Sequence, residues 1–196
     1  HPLIATNDDW QADPTHFIVE SNGLAPDNLA ESAMALSLPP GAYTVIVTGK
    51  DSSEGIALVE VYDISPLSNS TLENMSTRGL VGTGDNVLIS GFIVGDVGSS
   101  DVVIRGIGPS LAAYGLSGVL GDPTLAIYDS RGSVIASNDN WLDNIYWIDI
   151  RKNALSPIDQ HESALVLHLP AGAYTAVLRG VNDSTGIGLV EVYSLQ

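Results

Sequence analysis

The 196-residue chain contains no cysteine. Disulfide bonds, thiolate ligands for zinc and cysteine nucleophiles are therefore excluded. The absence says nothing about compartment, because many secreted bacterial proteins also lack cysteine. No apolar run approaches the roughly 18 residues that a membrane-spanning helix needs. No signal peptide precedes His1, so we expect a mature or trimmed chain.

Basic residues are also scarce. The chain has 7 lysines and arginines against 23 acidic residues, which gives a formal net charge of −16 at pH 7. The resulting field repels phosphate backbones and anionic lipids and attracts cations such as Ca²⁺. We therefore expect neither a nucleic-acid partner nor membrane insertion. The 44% of apolar residues, with 20 glycines and 10 prolines, indicate short strands joined by tight turns.

The chain contains an internal repeat. Residues 41–61 read GAYTVIVTGKDSSEGIALVEV, and residues 172–192 read GAYTAVLRGVNDSTGIGLVEV. One ungapped offset of 131 residues, the spacing of Trp10 and Trp141 (141 − 10), aligns the two ends of the chain with 27 of 65 positions identical. A repeat of this kind decides the architecture before any single strand is assigned.

The repeat sets the predicted domain organisation. We call residues 1–65 the first B half, 66–131 the A half and 132–196 the second B half. A complete sandwich unit is predicted over 77–196, and the first B half is a partial repeat that lacks an A half of its own. Residues 66–76, PLSNSTLENMS, form the predicted polar linker.

Short β-branched runs bounded by glycine, aspartate or proline predict the strands. Each B half has four such runs: LIAT or VIAS, SAMALSL or SALVLHL, AYTVIVTG or AYTAVLRG, and IALVEVYD or IGLVEVYS. Three more are predicted at Asn86–Val94, Val102–Ile107 and Thr124–Tyr128, and only 12–22 and 143–153 are predicted to hold a short helix. We predict an all-β fold of antiparallel β-sandwich or jelly-roll-like repeats, one complete and one partial, with at most short helical turns.

The run DPTLAIYDSRGSVIASNDNW, followed by ESALVLHLPAGAYTAVLRGVNDSTGIGLVEVY, resembles the bacterial pre-peptidase C-terminal (PPC) domain family. That family shows a D-P-x-L-x-L-Y-D strand, an L-A-S-N-D-D segment and P-A-G-x-Y-x-x-x-V-x-G. The A-half runs STRGLVGTGDNVLISGFIVG and IRGIGPSLAAYGLSG are similar to tandem repeats of large secreted or surface proteins of environmental bacteria.

The resemblance covers nearly all of 76–196, and its B half recurs in 3–62. It implies a secreted β-sandwich that binds or spaces and does not catalyse, appended to exported enzymes or strung in arrays, with calcium bound in some relatives. The chain departs from the family in carrying one B half without its A half.

Two acidic turns are candidate Ca²⁺ sites, because a hard cation requires clustered oxygen ligands. The alternative is that the same side chains cap backbone groups where a strand ends and a short helix begins. The candidate ligands are Asn7, Asp8 and Asp9 in the first B half and Asn138, Asp139 and Asn140 in the second.

Aromatic residues amount to only 6% of the chain. Tyr146 and Trp147 are the candidate ligand-binding side chains. Trp10 and Trp141 are expected to cover the core, because an indole ring buries a large area. Tyr43 and its copy are expected to be corner residues whose hydroxyl groups bond the backbone.

Catalysis is not expected. None of the four histidines, His1, His16, His161 and His168, recurs at the matching position of the other B half. The chain has no G-x-S-x-G nucleophile elbow, dinucleotide fingerprint or phosphate loop. His168 falls in an alternating strand, where an outward position is the ordinary explanation.

These observations predict a non-catalytic, secreted structural module at the cell surface, a subunit or segment of a filament, coat or array assembled through β-sandwich contacts between subunits. The expected partner is another copy of the chain or a neighbouring repeat of the same polypeptide, because an incomplete sandwich exposes an edge and an apolar face. The alternative is a carbohydrate- or protein-binding module that targets a secreted enzyme and is stabilised by calcium.

Overall fold

The structure is a computed structural model, and it describes residues 2–64 and 73–195. It divides into two compact units, His1–Thr71 and Leu72–Gln196. The boundary between the units falls inside the predicted linker.

The second unit is mostly β-structure, as predicted. Its six strands belong to one sheet. They are β1 (Asn74–Val81), β2 (Leu88–Ile107), β3 (Pro123–Asp129), β4 (Val134–Asn138), β5 (Ser163–Gly180) and β6 (Gly186–Leu195).

The strands alternate between the two halves of the repeat. In the sheet order β1-β6-β2-β5-β3-β4, β1, β2 and β3 come from the A half, whereas β4, β5 and β6 come from the second B half. Every pair of neighbours is antiparallel and joins an A-half strand to a B-half strand. Neither half therefore pairs strands of its own.

Two strands are longer than the sequence predicts. β2 runs for 20 residues and joins the runs predicted separately at Asn86–Val94 and Val102–Ile107. Its pairing with the 18-residue β5 stops after Val94 and resumes at Ser99 with a shifted register. Such an irregularity absorbs extra residues without ending the ladder, so the polar composition alone did not mark the end of a strand.

The predicted linker is too long at its C-terminal end. Residues 74–76, which were assigned to the linker, are the first residues of β1 and pair with β6. Ladder hydrogen bonds to β6 hold this polar segment in a strand, which its composition does not indicate. Residues 66–72 of the predicted linker lie outside the described part of the chain.

One hydrophobic core serves the whole sheet. It takes side chains from both ends of β2 and β5, and the rings of Phe92 and Tyr174 stack in it with centroids 5.6 Å apart. β6 alternates buried and partly exposed residues, as expected for a strand with one face on a core. The core consists of Val81, Leu88, Phe92, Val94, Val102, Ile104, Leu120, Leu125, Ile127, Leu165, Leu169, Tyr174, Ala176, Leu178, Val190 and Val192.

Helical structure is limited to short segments, as predicted. α1 (His16–Ser21) and α2 (Trp147–Lys152) have six residues each, and both lie inside the predicted helical stretches 12–22 and 143–153. In the described parts of the chain, no helix has the length and apolar character to cross a bilayer.

The short elements recur at the repeat spacing of 131 residues. The 3₁₀ turns Trp10–Ala12 and Trp141–Asp143 are separated by it (141 − 10), and so are α1 and α2 (147 − 16). A second pair of 3₁₀ turns, Lys50–Ser52 and Val181–Asp183, follows the same spacing (181 − 50). These elements depend on hydrogen bonds between residues close in sequence, so they form in both B halves.

The first unit contains no strand within residues 2–64. The four strands predicted there are not formed, which corrects the prediction. In the second B half, each corresponding strand is hydrogen-bonded to β1, β2 or β3, and a strand requires such a neighbour. Within residues 2–64 the buried hydrophobic side chains are Trp10 and Val19.

At Gly186 the backbone of the second B half passes close to the backbone of the A half, and a substitution there tests this contact. A Cβ atom at Gly186 would lie 2.5 Å from the Leu120 nitrogen and 2.6 Å from the Val119 carbonyl carbon. Both are backbone atoms, so Gly186→Ala is expected to lower the free energy of unfolding by about 1–3 kcal/mol.

The matched control is Gly55, the counterpart of Gly186 at the repeat spacing, which has nothing within 4 Å of the same position. Gly55→Ala is expected to change the unfolding free energy by less than about 0.5 kcal/mol. Urea unfolding followed by circular dichroism measures both, and equal losses in the two variants would contradict the prediction.

Candidate functional site

A buried carboxylate ties the second B half to the A half. Glu162 is fully buried, and its Oε1 accepts hydrogen bonds from the Gly108 amide at 3.1 Å, the Ser110 amide at 2.9 Å and the Ser110 hydroxyl at 2.5 Å. Its Oε2 accepts the Asp159 amide at 3.2 Å. A buried carboxylate is tolerated only when its oxygens are satisfied, and here three of the four donors come from the A-half segment that follows β2.

Arg105 of β2 makes a second polar tie between the halves. Its Nη2 and Nε lie 2.5 and 2.9 Å from Glu191 Oε2, and Nη2 lies 3.1 Å from the Tyr193 hydroxyl oxygen. Its Nη1 donates to the Leu155 carbonyl at 3.1 Å. The Arg105 and Glu191 side chains are only 17% and 13% exposed, so removal of either would leave a poorly hydrated, unpaired charge.

Tyr193 completes this second tie. Its hydroxyl donates to Glu191 Oε1 at 2.8 Å, and the Arg105 guanidinium lies over its ring, 5.1 Å from the centroid. Burial, and then the hydrogen bond to Glu191, raise the pKa of Tyr193. We call the contacts of Glu162 and Arg105 the polar seam between the halves.

Sequence reasoning missed the polar seam. The matching segments Glu31-Ser32-Ala33 and Glu162-Ser163-Ala164 served only to establish the repeat, and so did the Val-Glu-Val-Tyr segments that contain Glu60 and Glu191. The signal for these contacts in the sequence is a glutamate that occurs in both copies of the repeat at or beside an otherwise apolar strand.

The asparagines of the two acidic turns bond to the backbone. Asn138 Oδ1 accepts the Ala164 amide at 2.9 Å, and its Nδ2 donates to the Asn140 carbonyl at 3.0 Å. In the first unit, Asn7 Oδ1 accepts the Ala33 amide at 3.0 Å, and its Nδ2 donates to the Asp9 carbonyl at 3.1 Å. These hydrogen bonds to backbone groups are the ones expected if the two turns cap the backbone and do not bind Ca²⁺.

The other candidate Ca²⁺ ligands are not gathered around one point where they could bind a metal ion. Asp8 forms an exposed ion pair with Lys50 at 2.5 Å, and Asp9 is exposed. Asn140 Nδ2 lies 3.5 Å from Asp143 Oδ2. Within the described residues, no three histidine, aspartate or glutamate side chains are arranged to hold a metal ion. Calcium binding through the asparagine and aspartate oxygens stays a prediction.

The candidate ligand-binding aromatics lie at the start of α2. Tyr146 is 50% exposed, and Trp147 is partly buried. The neighbouring Ile145 is exposed and contributes, with Tyr146, to a shallow depression between the turn and β5. In the described residues, the ring–ring contacts are those of His16 with Phe17 and of Phe92 with Tyr174, so Tyr146 and Trp147 do not stack as one flat strip.

The two tyrosines behave as expected, whereas neither Trp10 nor Trp141 belongs to the core cluster. Trp10 is 5% exposed, and Trp141 is partly buried, with its Nε1 donating to the Asp159 carbonyl at 3.2 Å. Tyr43 donates its hydroxyl to the Pro39 carbonyl at 2.5 Å, and Tyr174 donates to the Pro170 carbonyl at 2.9 Å. The corner role predicted for these tyrosines is confirmed.

The structure also brings together a serine, a histidine and an aspartate that the sequence did not connect. His168 Nε2 lies 2.7 Å from Ser99 Oγ, and His168 Nδ1 lies 2.7 Å from Asp101 Oδ1. This is the order of a Ser-His-Asp triad. The His168 and Asp101 side chains are 69% and 57% exposed, whereas a hydrolase shields these groups and adds oxyanion donors. The cluster is a surface contact between β2 and β5, and His168 points outward as expected.

No family model matches the sequence, and neither does any curated protein. Among solved structures, the chain is similar to the pre-peptidase C-terminal domain of collagenase from Bacillus anthracis, with a TM-score of 0.39 and 13% sequence identity. The match covers 63% of this chain and 99% of the collagenase domain.

The Asp139 carboxyl tests the calcium prediction. Partial burial, and then the charges of Asp122 and Asp143, raise the pKa of Asp139 above its ordinary value. The folded state therefore binds this proton more tightly than the unfolded state, so the group favours folding as the pH falls through its folded pKa and opposes folding above it. A bound cation would favour the carboxylate and lower the pKa again.

We expect carboxyl chemical shifts of Asp139 to titrate above the ordinary range in the presence of a chelator, and millimolar Ca²⁺ to lower that midpoint. NMR titration with and without Ca²⁺ makes the measurement, with Mg²⁺ as the control cation. A midpoint unchanged by Ca²⁺ would contradict the calcium prediction and leave the backbone contacts of Asn138 as the role of this turn.

The Ser99 cluster tests the absence of catalysis. Because Ser99 and His168 are exposed to water, we expect Ser99 to remain unlabelled by a fluorophosphonate, as judged by mass spectrometry of the intact chain. His168→Ala is the matched variant. Labelling of the wild-type chain at Ser99 that is lost in His168→Ala would reveal an activated nucleophile and overturn the prediction.

Proposed function

We propose that the chain is a non-catalytic structural module of an extracellular protein, and that it joins neighbouring modules of a surface filament, coat or array through contacts between A and B halves. The second unit is one antiparallel sheet made from strands of both halves, and residues 1–65 repeat the sequence of its B half. The PPC resemblance of the sequence supports secretion and a spacing or binding role.

The observation that carries this proposal is the difference in exposure between the two B halves. Val47 is 55% exposed, whereas its counterpart Leu178 is fully buried. Val59 is 49% exposed, whereas its counterpart Val190 is fully buried. Apolar side chains that are exposed at positions where their counterparts form a core favour an interaction with another segment.

The free energy available from covering this surface is large. Removal of about 1,000 Å² of apolar surface from water would contribute on the order of 25 kcal/mol before the entropic costs of association. Those costs consume much of the gain, yet the remainder is sufficient for a specific interface of ordinary size. Covering the first B half is therefore expected to be favourable.

The alternative, a targeting module for polysaccharide or protein, draws on Tyr146 and Trp147. Tyr146 lies half exposed beside Ile145, but Trp147 is partly buried. A single half-exposed ring offers less stacking area than a row of aromatic side chains. The array function is therefore preferred.

Self-association of the purified chain tests the proposal. Exposed apolar segments are expected to associate weakly and reversibly, so the weight-average mass should rise with protein concentration in analytical ultracentrifugation. Val47→Asp should weaken this association by at least about tenfold, because the interface would then bury an unpaired carboxylate.

Thr48→Asp is the matched control. It adds the same charge next to Val47, at a position whose counterpart Arg179 is exposed, and it should leave the association unchanged. A wild-type chain that stays monomeric at every concentration, or equal effects of the two substitutions, would contradict the proposed function.

A further inference from the structure

We infer that the first B half is an acceptor for a further A-type segment, that is, a second polypeptide segment with the strands and the Ile-Arg-Gly-Ile-Gly-Pro-Ser sequence of residues 73–131. We call residues 31–49 and 55–62 the acceptor surface. The inference rests on the proposed function and identifies the chemistry of the partner.

The pairing pattern gives the first argument. In the second B half, β5 pairs with β2 and β3, and β6 pairs with β1 and β2. No B-half strand pairs with another B-half strand in this sheet. The acceptor surface repeats the sequence of β5 and β6, so its strands require A-type neighbours.

The polar seam gives the second argument. In the first unit Tyr62 already donates its hydroxyl to Glu60 Oε1 at 2.9 Å, as Tyr193 donates to Glu191 at 2.8 Å. The hydrogen bond to Glu60 raises the pKa of Tyr62. One hydrogen bond of the arginine-binding group that holds Arg105 is therefore already present in the first unit.

Glu31 gives the third argument. Its backbone carbonyl accepts the Trp10 amide at 2.8 Å, and the Glu162 carbonyl accepts the Trp141 amide at 2.8 Å. The two glutamates therefore occupy the same place in the same local structure. Glu162 is buried and accepts hydrogen bonds from the backbone amides of Gly108 and Ser110 in the A half. Glu31 is exposed.

The acceptor surface also retains the shape that packing requires. A Cβ atom at Gly188 would lie 2.7 Å from Leu178 Cδ2. The first B half has Ala57 at the position of Gly188, and it has the shorter Val47 at the position of Leu178. The added methyl group is thus matched by the loss of the δ-carbons that it would meet. A larger residue at one position combined with a smaller residue at the neighbouring position conserves the volume of a packed interior. A surface that is always in water would not need this compensation.

The same geometry argues against a second copy as the occupant. In the second unit, β2 lies between β5 and β6, and β3 lies between β4 and β5. Another copy could offer these strands only by breaking its own sheet. Because the A half of residues 66–131 is already paired with the second B half, the inferred occupant is a further A-type segment.

The test adds a second copy of residues 66–131 directly before His1 of the full chain. Because the repeat spacing is 131 residues, this fusion reproduces the junction between residues 131 and 132. Amide hydrogen exchange in residues 43–49 and 55–62 should slow by on the order of 100-fold, toward the rates in β5 and β6, because new strand pairs must open before exchange. Mass spectrometry of peptic fragments measures these rates.

Substitutions in the added copy test the polar seam. Arg105→Ala made in the added copy should return much of the fast exchange, whereas Arg131→Ala made there, at an exposed side chain, should not. Gly55→Ala should be harmless in the original chain and should reduce protection in the extended chain, because Gly55 would then meet the A-type backbone as Gly186 does.

The outcomes separate this inference from the proposed function. Fast exchange at 43–49 and 55–62 in the extended chain overturns the inference, whether or not the original chain associates. Protection of these residues in a dimer of the original chain also overturns it, since a second copy would then be the occupant, and the proposed function would stand. Protection in the extended chain, when the original chain never associates, supports the inference and contradicts the proposed function in so far as that function requires copies of this chain to associate.

Discussion

Strand pairing between the two halves of the repeat is the constraint on which the rest of the structure depends. Because A-half and B-half strands alternate across the sheet, every ladder hydrogen bond joins segments that are distant in sequence, apart from the β3–β4 hairpin. The core depends on the same arrangement, since residues such as Ile104 and Leu178 are fully buried only when both halves are present. Neither half has a sheet of its own, so the basic folding unit is the pair.

Comparison of the two B halves shows which features depend on contacts within one half and which depend on contacts with the A half. α1 and α2, the corner tyrosines and the backbone contact of Glu31 and Glu162 recur with nearly the same geometry. All of these depend on residues inside one half. The strands and the buried face do not recur, because they depend on β1, β2 and β3. The first B half therefore keeps its turns and loses its sheet, which is the behaviour expected when hydrogen bonds to a neighbouring strand, and not intrinsic propensity, stabilise extended structure.

The sequence was sufficient for features that periodicity and repetition encode directly. It placed β3, β4, β6 and both short helices, it located β2 and β5 as two shorter strands each, and it identified Tyr43 as a corner residue from its position after the proline. It did not predict β1, whose first residues it assigned to the linker. It did not predict that β2 continues through the irregularity between Val94 and Ser99, because pairing with β5 on both sides of the irregularity keeps the polar residues within one strand. It also missed Glu162, since an acidic side chain at the start of an apolar strand appears exposed until the Gly108–Ser110 segment is brought against it by the fold.

The polar seam explains why this sheet adopts one register. β6 alternates buried and partly exposed residues, and a slip by two residues would keep the same residues facing the core. In the observed register Arg105 is paired directly with Glu191, and a two-residue slip would set it against Leu189 or Tyr193. The buried charges would then lose their hydrogen bonds, at a cost of about 3–5 kcal/mol for each broken pair. Apolar burial thus drives association of the halves, and the charged pair selects their alignment. Under the inference drawn above, Glu31, Glu60 and Tyr62 would make the same selection in the first B half, and its occupant would carry an arginine and the Gly-Pro-Ser segment as well as apolar strands.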